Sequence, residues 1–338
     1  MSDLLSDRLA AAYSARSGLL QQLHGEDTNA YRLFHGSVEG RPGLTVDRYG
    51  DLLLVQSFHS PLEADDQAEL EAYYAGVLPG LVCIYNDRSR ANSRVGNDLP
   101  KDLVAPAHQL REFSELGVKY LIQARHAGQD PWLFLDMRAG RRKVMQEAVG
   151  KSVLNLFAYT CGIGIAAAKN GASFVVNVDF AESSLEIGKS NASLNELPIR
   201  PRFIKSDVFP AIRQLAGLGQ PKMVRGKRMP PFIELEARQF DLVFLDPPRY
   251  AKSPFGVVDL VNDYPALFKP ALLATAEGGT LICCNNVAEV QREAWLDQLQ
   301  RSARKAGREV REAEWISPEA DFPSLDGQPP LKMALLRV

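Results

Sequence analysis

VLNLFAYTCGIGIAAAKNGA, residues 153–172, is the most informative stretch of this chain. Its apolar start, residues 153–157, predicts a buried strand, and its Ala-rich end, residues 165–169, predicts a helix. Between them, Gly162 and Gly164 permit a tight turn and let the backbone pass close to a ligand. The spacing is not the GxGxxG that cradles a pyrophosphate, so it favours a methionine-like cofactor without phosphate. A glycine turn that binds no ligand is the alternative.

The same alternation of strand and helix continues on both sides of that stretch. A chain that alternates in this way builds a mainly parallel sheet covered by helices on both faces. The pattern therefore predicts an α/β, Rossmann-like doubly wound fold. The further strands are predicted at residues 174–178, 202–205, 240–245 and 279–284, and the helices at 139–149, 183–195 and 289–305.

The N-terminal part of the chain has a different texture. Leucines at helical spacing predict an amphipathic helix at its start, and short apolar runs separated by Gly- and Asp-rich turns predict hairpins after it. Residues 86–106 are predicted to be a polar loop, and residues 118–123 to pair as a strand with 132–136. The predicted division is a helical N-terminal segment, a small α+β hairpin module that docks the substrate, and the doubly wound domain: residues 1–30, 31–130 and 131–338.

Composition limits the partners. The 338 residues include 39 Lys or Arg and 41 Asp or Glu, a formal net charge of −2. No global positive field attracts nucleic acid, so any such contact has to come from local basic patches. No apolar run approaches the ~20 residues that span a bilayer and no secretory segment opens the chain, which predicts a cytoplasmic protein with no membrane partner. The four cysteines and five histidines show no metal-ligand spacing, so no metal is expected.

Acidic residues follow two of the predicted strands, at the edge where a doubly wound sheet binds its ligands. Asp179 closes the second strand and can accept hydrogen bonds from both hydroxyls of a ribose, with Phe180 beside it. Asp207 follows the third strand, where a carboxylate can accept from an adenine amino group, with Val208 beside it. The alternative for Asp179 is that it caps the following helix.

The sharpest motif is FDLVFLDPPRYAKS, residues 240–253. Pro247 and Pro248 fix two successive φ angles and remove two N–H donors, so the carbonyl groups before them can face a substrate. Asp246 adds an acceptor, and Tyr250 offers a face on which a flat base can stack. A strand that simply ends in a Pro-Pro turn is the alternative.

Together these stretches resemble one family. Residues 153–172, VDFAESSLEIGKSNASLN at 178–195, and 240–253 are similar to the large-subunit ribosomal RNA methyltransferases, of the cytosine-C5 type and of the guanine-N7 domain of the bifunctional K/L type. FLDMRAGRR, residues 134–142, is similar to the segment before their first cofactor strand, and GSVEGRPGLTVDRYGD, residues 36–51, to the hairpin module of the cytosine-C5 type. A PUA domain, typical of the latter, is not expected before the hairpins. The resemblance implies an enzyme that uses S-adenosyl-L-methionine and methylates RNA.

GGTLICCNNVAEV, residues 278–290, distinguishes the two types. Cytosine C5 is a poor nucleophile, so the cytosine-C5 enzymes add a Cys thiolate to C6 of the base. Asn286 stands where the resemblance places that Cys, whereas Cys283 and Cys284 lie earlier and are predicted to be buried. Guanine N7 already carries a lone pair, so positioning suffices. A ring or exocyclic nitrogen such as guanine N7 is the predicted acceptor, and cytosine C5 is the alternative.

The motifs and the resemblance assign roles to three groups of residues. Those predicted to bind the cofactor are Arg138, Phe157, Tyr159, Thr160, Gly162, Gly164, Asp179, Phe180, Asp207, Val208 and Asp246. Those predicted to hold the target base are Asp246, Pro247, Pro248, Tyr250 and Asn286. Those predicted to contact RNA phosphates, with a solvated loop as the alternative, are Arg138 and four residues of an insert at 217–236: Lys222, Arg225, Lys227 and Arg228.

Two other classes of function compete with a ribosomal RNA methyltransferase. The same fold serves methyltransferases that act on a small molecule or a protein, because fold does not set the acceptor. A non-catalytic RNA-binding or assembly factor can also retain the fold. The intact glycine turn, Asp179 and the Asp246 motif argue against the non-catalytic reading. Monomer and homodimer are both compatible with the sequence.

Overall fold

The computed structural model of this chain describes residues 4–90, 98–224 and 226–338, together with all their side chains except that of Lys227. The chain divides into two compact units. The first comprises the described residues up to Arg138 together with Glu319–Gln328. The second comprises Ala139–Pro318 and Pro329–Val338. In the described parts of the chain, no helix has both the length and the apolar character to span a membrane.

The first unit is built around a four-stranded sheet of order β1-β2-β3-β4. Neighbouring strands run antiparallel except for the parallel pair of β3 and β4. Leucines from the first two helices pack with the apolar side chains of the first strands into one core. Its helices are α1 (Leu5–Ala15), α2 (Ser17–Gly25), α3 (Ala64–Val77) and α4 (Lys101–His108), and its strands are β1 (Ala30–His35), β2 (Leu44–Tyr49), β3 (Leu52–Ser57), β4 (Val82–Asp87), β5 (Arg111–Glu115) and β6 (Val118–Ile122).

Two predictions for this unit need correction. The strand β6 pairs with β5, Phe113 lying opposite Tyr120, and not with residues 132–136, which lead into a short 3-10 helix at Leu135–Met137. Sequence reasoning missed β5 because only Phe113 is apolar in REFSE, so the run does not look like a strand. The polar stretch at 86–106 contains the start of α4, and its residues 91–97 lie outside the described part of the chain.

The second unit contains a seven-stranded sheet of order β16-β17-β15-β12-β7-β8-β9. The strands from β15 to β9 are mutually parallel, and β17 runs antiparallel to both of its neighbours. Its helices are α5 (Arg138–Glu147), α6 (Gly162–Lys169), α7 (Glu182–Ser193), α8 (Val208–Leu215), α9 (Pro265–Ala274) and α10 (Arg292–Lys305). Its strands are β7 (Ser152–Leu156), β8 (Phe174–Asp179), β9 (Arg202–Lys205), β10 (Met223–Val224), β11 (Lys227–Arg228), β12 (Phe240–Leu245), β13 (Tyr250–Ser253), β14 (Gly256–Asp259), β15 (Thr275–Asn285), β16 (Glu312–Ile316) and β17 (Lys332–Arg337).

The predicted doubly wound sheet is confirmed, and its order shows where a ligand can bind. From β7 the chain runs outward through β8 to β9, and it then returns to β12 on the other side of β7. The strand order therefore reverses between β7 and β12. In open α/β sheets, ligands bind beyond the carboxyl ends of the strands that flank such a reversal.

The central strands are buried because helices cover both faces of the sheet. Leu154, Leu156 and Val243 contribute to one large core together with α8 and α9. The helix α8 joins this core through residues 208, 211, 212 and 215, which lie on one face at helical spacing. Parallel strands buried on both faces have nearly continuous apolar sequences, as β7 and β12 do.

The observed division of the chain differs from the predicted one in three places. The described residues before 31 belong to the same unit as the predicted hairpin module. Residues 131–138 and the late segment Glu319–Gln328 both belong to the first unit. The segment joins that unit because Glu319 and Asp321 form ion pairs with the buried Arg138. Contacts over a sequence separation of more than 180 residues leave no local pattern that a sequence reading can detect.

Candidate active site

The loop between β7 and α6 has an unusual backbone. Phe157, Tyr159 and Cys161 adopt positive φ angles of 57°, 50° and 64°, a region that residues other than glycine rarely occupy. Each such residue costs of order 1–3 kcal/mol and persists only where its surroundings enforce it. Here the backbone N–H of Ala158 donates to the Val178 carbonyl at 3.0 Å, and that of Cys161 donates to the Ala158 carbonyl at 2.7 Å. Strain of this kind is concentrated at ligand sites, so the loop is a candidate binding element.

Asp179, at the end of β8, orients that loop. Its side chain is 5% exposed. Its Oδ2 accepts from the backbone N–H of Tyr159 and its Oδ1 from that of Ala181, both at 2.8 Å. Burial raises the pKa of Asp179, and the backbone N–H donors partly oppose that rise. The residue at the N-cap of α7 is Ala181, so Asp179 ties two strand-end loops together and does not stand at the cap position.

Gly164 has a packing role that the sequence did not reveal. A Cβ at this position would lie 2.0 Å from Oδ1 of Asn177 on β8. The same Oδ1 accepts a hydrogen bond from the Asn155 side chain at 2.9 Å, inside the sheet. Neither Gly162 nor Gly164 has a positive φ. The left-handed positions of the turn are Phe157, Tyr159 and Cys161. The glycine at 164 allows α6 to pack closely on the sheet above the Asn155–Asn177 pair.

Cys161 is held under α7 by another small residue. A Cβ at Gly188 would lie 2.6 Å from the Cys161 Sγ. Burial raises the pKa of the Cys161 thiol well above its usual range. This thiol therefore packs against the helix and is not a candidate nucleophile.

A cleft of about 420 Å³ lies beyond the ends of β8 and β9. Its walls combine aromatic and proline side chains with a few polar groups, which suits a flat heterocycle. Asp207 lines the cleft and also caps α8, its Oδ1 accepting from the Phe209 backbone N–H at 2.9 Å. The full set of lining residues is Phe180, Lys205, Ser206, Asp207, Pro210, Pro231, Phe232, Ile233 and Phe255.

The Asp-Pro-Pro motif and Asn286 emerge from neighbouring strands. The strands β12 and β15 pair in parallel with Leu245 opposite Cys283. Asp246 directly follows β12, and Asn286 directly follows β15 and is exposed. The two residues therefore lie at the same edge of the sheet, beyond the carboxyl ends of adjacent strands.

The residues near that edge differ in their exposure to solvent. Tyr250 begins β13 and is 63% exposed, whereas Pro247 is buried. Asn285 is buried, and its side chain donates to the Leu260 carbonyl at 3.2 Å and accepts from the Val287 backbone N–H at 3.0 Å. Asn285 thus has a structural role, and Asn286 is the asparagine of the pair that can meet a ligand.

Cys283 and Cys284 are both fully buried, as predicted. Burial raises the pKa of the Cys283 thiol. The Tyr264 hydroxyl donates to the Cys284 carbonyl at 3.0 Å from inside the same core. A thiol nucleophile has to be both accessible and ionised, and Cys283 is neither.

The prediction that Arg138 contacts a phosphate or the cofactor is wrong. Its side chain has no exposed surface and lies in a cluster of three carboxylates in the first unit. It pairs with Glu319 and Asp321, each at 2.7 Å, and with Glu115 at 3.4 Å. Sequence reasoning missed this because a helix-initial arginine beside other basic residues is typical of an exposed basic patch.

The basic insert is described in part. Lys222 pairs with Glu234 at 2.8 Å and Arg228 is exposed, while Arg225 and the Lys227 side chain lie outside the described residues. Sequence reasoning attributed charge to this insert but missed its apolar part, Pro231–Phe232–Ile233, which lines the cleft. Two prolines followed by a phenylalanine in a charged segment were the available signal.

Among the residues that the structure describes, no cluster of three or more His, Cys, Asp or Glu side chains is placed to hold a metal ion. The polar groups at the carboxyl edge of the sheet include carboxylates and amides, groups that can accept or donate hydrogen bonds.

A family model and several known proteins match most of this chain. The family model for S-adenosylmethionine-dependent methyltransferases matches residues 31–337. A ribosomal RNA large subunit methyltransferase I from Aeromonas salmonicida is 30% identical over 327 residues, 95% of this chain and 76% of the relative. Its namesake from Escherichia coli O139:H28 is 28% identical over 331 residues, 96% of this chain and 77% of the relative.

A solved structure shares the fold over the whole chain. SMU.776, a protein assigned as a methyltransferase and solved in complex with SAH, superposes with a TM-score of 0.78. The two sequences are 22% identical, and the match covers 100% of this chain and 83% of the other. At this identity the likeness concerns the fold alone.

Proposed function

The chain belongs to the S-adenosylmethionine-dependent methyltransferase family, and on that basis we propose that it methylates a base of large-subunit ribosomal RNA at a ring or exocyclic nitrogen such as guanine N7. The observation that carries the choice of atom is the carboxyl end of β15, where Asn286 is exposed and Cys283 is buried. Support for the substrate class comes from the relatives, which are large-subunit ribosomal RNA methyltransferases aligned over at least 95% of this chain.

The residues at the carboxyl edge of the sheet fit S-adenosylmethionine. Asp179 is a buried carboxylate whose two oxygens each accept one backbone N–H, and a carboxylate oxygen has lone pairs for a second donor such as a ribose hydroxyl. The cleft beside Phe180 and Asp207 offers apolar walls and one acceptor for an adenine ring. The strained loop at Tyr159 and Thr160 would lie beside the methionine part of the cofactor.

When bound, the cofactor supplies an electrophilic methyl group on its sulfonium. The chain itself has to orient the acceptor and exclude water, because guanine N7 attacks with its own lone pair. Tyr250 presents an exposed ring on which a base can stack. We assign Asp246 and the carbonyl before Pro247 to contacts at the edge of the base and Asn286 to its orientation. No thiolate adduct is required for a nitrogen acceptor.

The interpretation is tested by mass spectrometry of nucleosides from large-subunit ribosomal RNA. A strain lacking the gene is complemented with wild type, Asp246→Asn, Asn286→Ala or Cys283→Ala, with protein levels matched by immunoblot. We expect 7-methylguanosine to fall in the deletion strain and with Asp246→Asn and Asn286→Ala, and to return with wild type and Cys283→Ala.

Two other results would overturn parts of the proposal. If the deletion strain loses 5-methylcytidine and Cys283→Ala fails to restore it, the acceptor is cytosine C5 and not a nitrogen. An unchanged nucleoside profile in the deletion strain would exclude ribosomal RNA and direct attention to a small-molecule or protein acceptor.

A further inference from the structure

The insert at residues 217–236 forms part of the cleft. One wall comes from the ends of β8 and β9, with Phe180, Ser206 and Asp207. Further lining residues are Pro231–Phe232–Ile233 of the insert and Phe255, in the turn between β13 and β14. The volume of about 420 Å³ therefore depends on a segment outside the regular strand and helix alternation.

Two of the lining residues, Phe232 and Phe255, form an aromatic pair. The centroids of Phe232 and Phe255 lie 6.1 Å apart with the ring planes at 87°, an edge-to-face contact. Such pairs hold a fixed mutual geometry because the edge of one ring is attracted to the face of the other. Phe232 is half-buried although its neighbours Pro231 and Ile233 are exposed, so the ring of Phe232 is turned toward the protein.

The backbone that follows each ring is held by α8. Gln214 on α8 is 8% exposed, and its amide donates to the Ile233 carbonyl at 3.0 Å and accepts from the Leu235 backbone N–H at 3.1 Å. The insert is therefore tied to α8 on the C-terminal side of Phe232. The turn that carries Phe255 packs Gly256 on the ring of Phe209, where an added Cβ would lie 2.8 Å from the ring.

We propose that Phe232 of the insert and Phe255 of the β13–β14 turn, as one aromatic pair, contact the adenine of S-adenosylmethionine, which makes the insert a part of the cofactor site. The inference rests on the cofactor site proposed at Asp179 and Asp207. An adenine in this cleft would meet the polar groups at the strand ends together with the two aromatic rings. The insert, which the sequence suggested as a phosphate-binding segment, then acts on the affinity for the cofactor through its apolar residues.

The test measures binding of S-adenosylhomocysteine to the full chain by isothermal titration calorimetry. Removing one aromatic contact with a base should weaken binding about tenfold, so we expect that loss for Phe232→Ala. The matched control is Met223→Ala, on β10 of the same insert, where the side chain is 62% exposed and lies outside the cleft lining. It should bind like wild type.

Two further measurements locate the contact at the adenine. The loss for Phe232→Ala should recur with 5′-methylthioadenosine, which retains the adenine and lacks the amino-acid part. In Phe232→Trp, whose ring can still stack, affinity should be kept within about threefold, and added S-adenosylhomocysteine should change the tryptophan emission beyond the change in wild type.

The outcomes separate this inference from the proposed cofactor site. Wild-type affinity in Phe232→Ala, with an unchanged circular dichroism spectrum, would overturn the aromatic contact with adenine and leave the cofactor site standing. An equal loss in Met223→Ala would overturn it as well, because the effect would then belong to folding of the whole insert. Failure of the wild-type chain to bind S-adenosylhomocysteine would overturn the cofactor site itself.

Discussion

The Asp179 carboxylate accepts a hydrogen bond from the backbone N–H of Tyr159, a residue with a φ of 50°, over a distance of 2.8 Å. The carboxylate thus helps to enforce the strained turn after β7, and the turn in return orients the carboxylate. Because β7 and β8 are neighbours in the sheet, this single contact joins the two strand ends nearest the candidate cofactor site.

Replacement of Asp179 by Asn should lower both the affinity for the cofactor product and the stability of the protein. The amide offers one acceptor oxygen in place of two, so one of the backbone N–H groups of Tyr159 and Ala181 loses its partner. We expect the free energy of unfolding to fall by about 1–3 kcal/mol and the affinity for S-adenosylhomocysteine to fall at least tenfold. Chemical denaturation and calorimetry measure the two quantities.

A matched control for Asp179→Asn lies at the other end of the sheet. Asp241 accepts from the backbone N–H and the hydroxyl of Ser152, both at 2.7 Å, near the amino ends of β7 and β12. Asp241→Asn should cost some stability and leave ligand affinity unchanged. Equal losses of affinity in the two variants would contradict a ligand role for Asp179.

The affinity for S-adenosylhomocysteine should depend on pH through Asp179. Burial raises the pKa of this carboxyl in the free protein, and ribose hydroxyl donors, which favour the ionised form, would lower it again. Binding then releases a proton, so affinity should fall as the pH drops through the raised pKa and level off above it. Calorimetry over a pH series from the ordinary titration range of an Asp carboxyl up to neutral pH measures the slope. A slope that persists in Asp179→Asn would assign the dependence to another group.

Gly164→Ala should destabilise the protein, because the new Cβ meets the Asn177 side chain, which is buried and hydrogen-bonded to Asn155. Overpacking of this kind costs about 1–3 kcal/mol. The control is Gly76→Ala in α3, where no atom lies within 4 Å of the added Cβ and where alanine should stabilise the helix by about 0.5–1 kcal/mol. Thermal melts should therefore shift in opposite directions, and equal shifts would argue against the close approach of α6 to β8.

Arg138→Met should destabilise the first unit by about 3–5 kcal/mol, because it leaves the buried Asp321 and Glu115 carboxylates without their cation. The comparison is Arg301→Met, which removes an exposed pair with Asp297 and should cost less than about 1 kcal/mol. Chemical denaturation measures both. Full stability in Arg138→Met together with weaker RNA binding would restore the phosphate role that the buried cluster excludes.

The local sequence pattern was sufficient to predict many of the strands and helices of the second unit. The runs at β8 and β12 are recognisable because parallel strands buried on both faces are nearly continuously apolar, and α7 and α10 because they are long amphipathic segments. The pattern did not reveal α8, because Pro210 inside this eight-residue helix obscures the helical spacing. It did not reveal β17 either, because the antiparallel position of this strand depends on its partners in the sheet.

The amino-acid sequence by itself determined the alternating fold, the carboxylates at its strand ends and the position of Asn286 just after the strand that carries Cys283 and Cys284, because each is a property of consecutive residues. The tertiary structure decided what long-range contacts control. It buried Arg138 among three carboxylates, made Asp179 the tie between two loops, and placed Phe232 in the wall of a cleft. Burial and pairing depend on which distant segments meet, and the free energy of a charge or an aromatic ring is set by those neighbours.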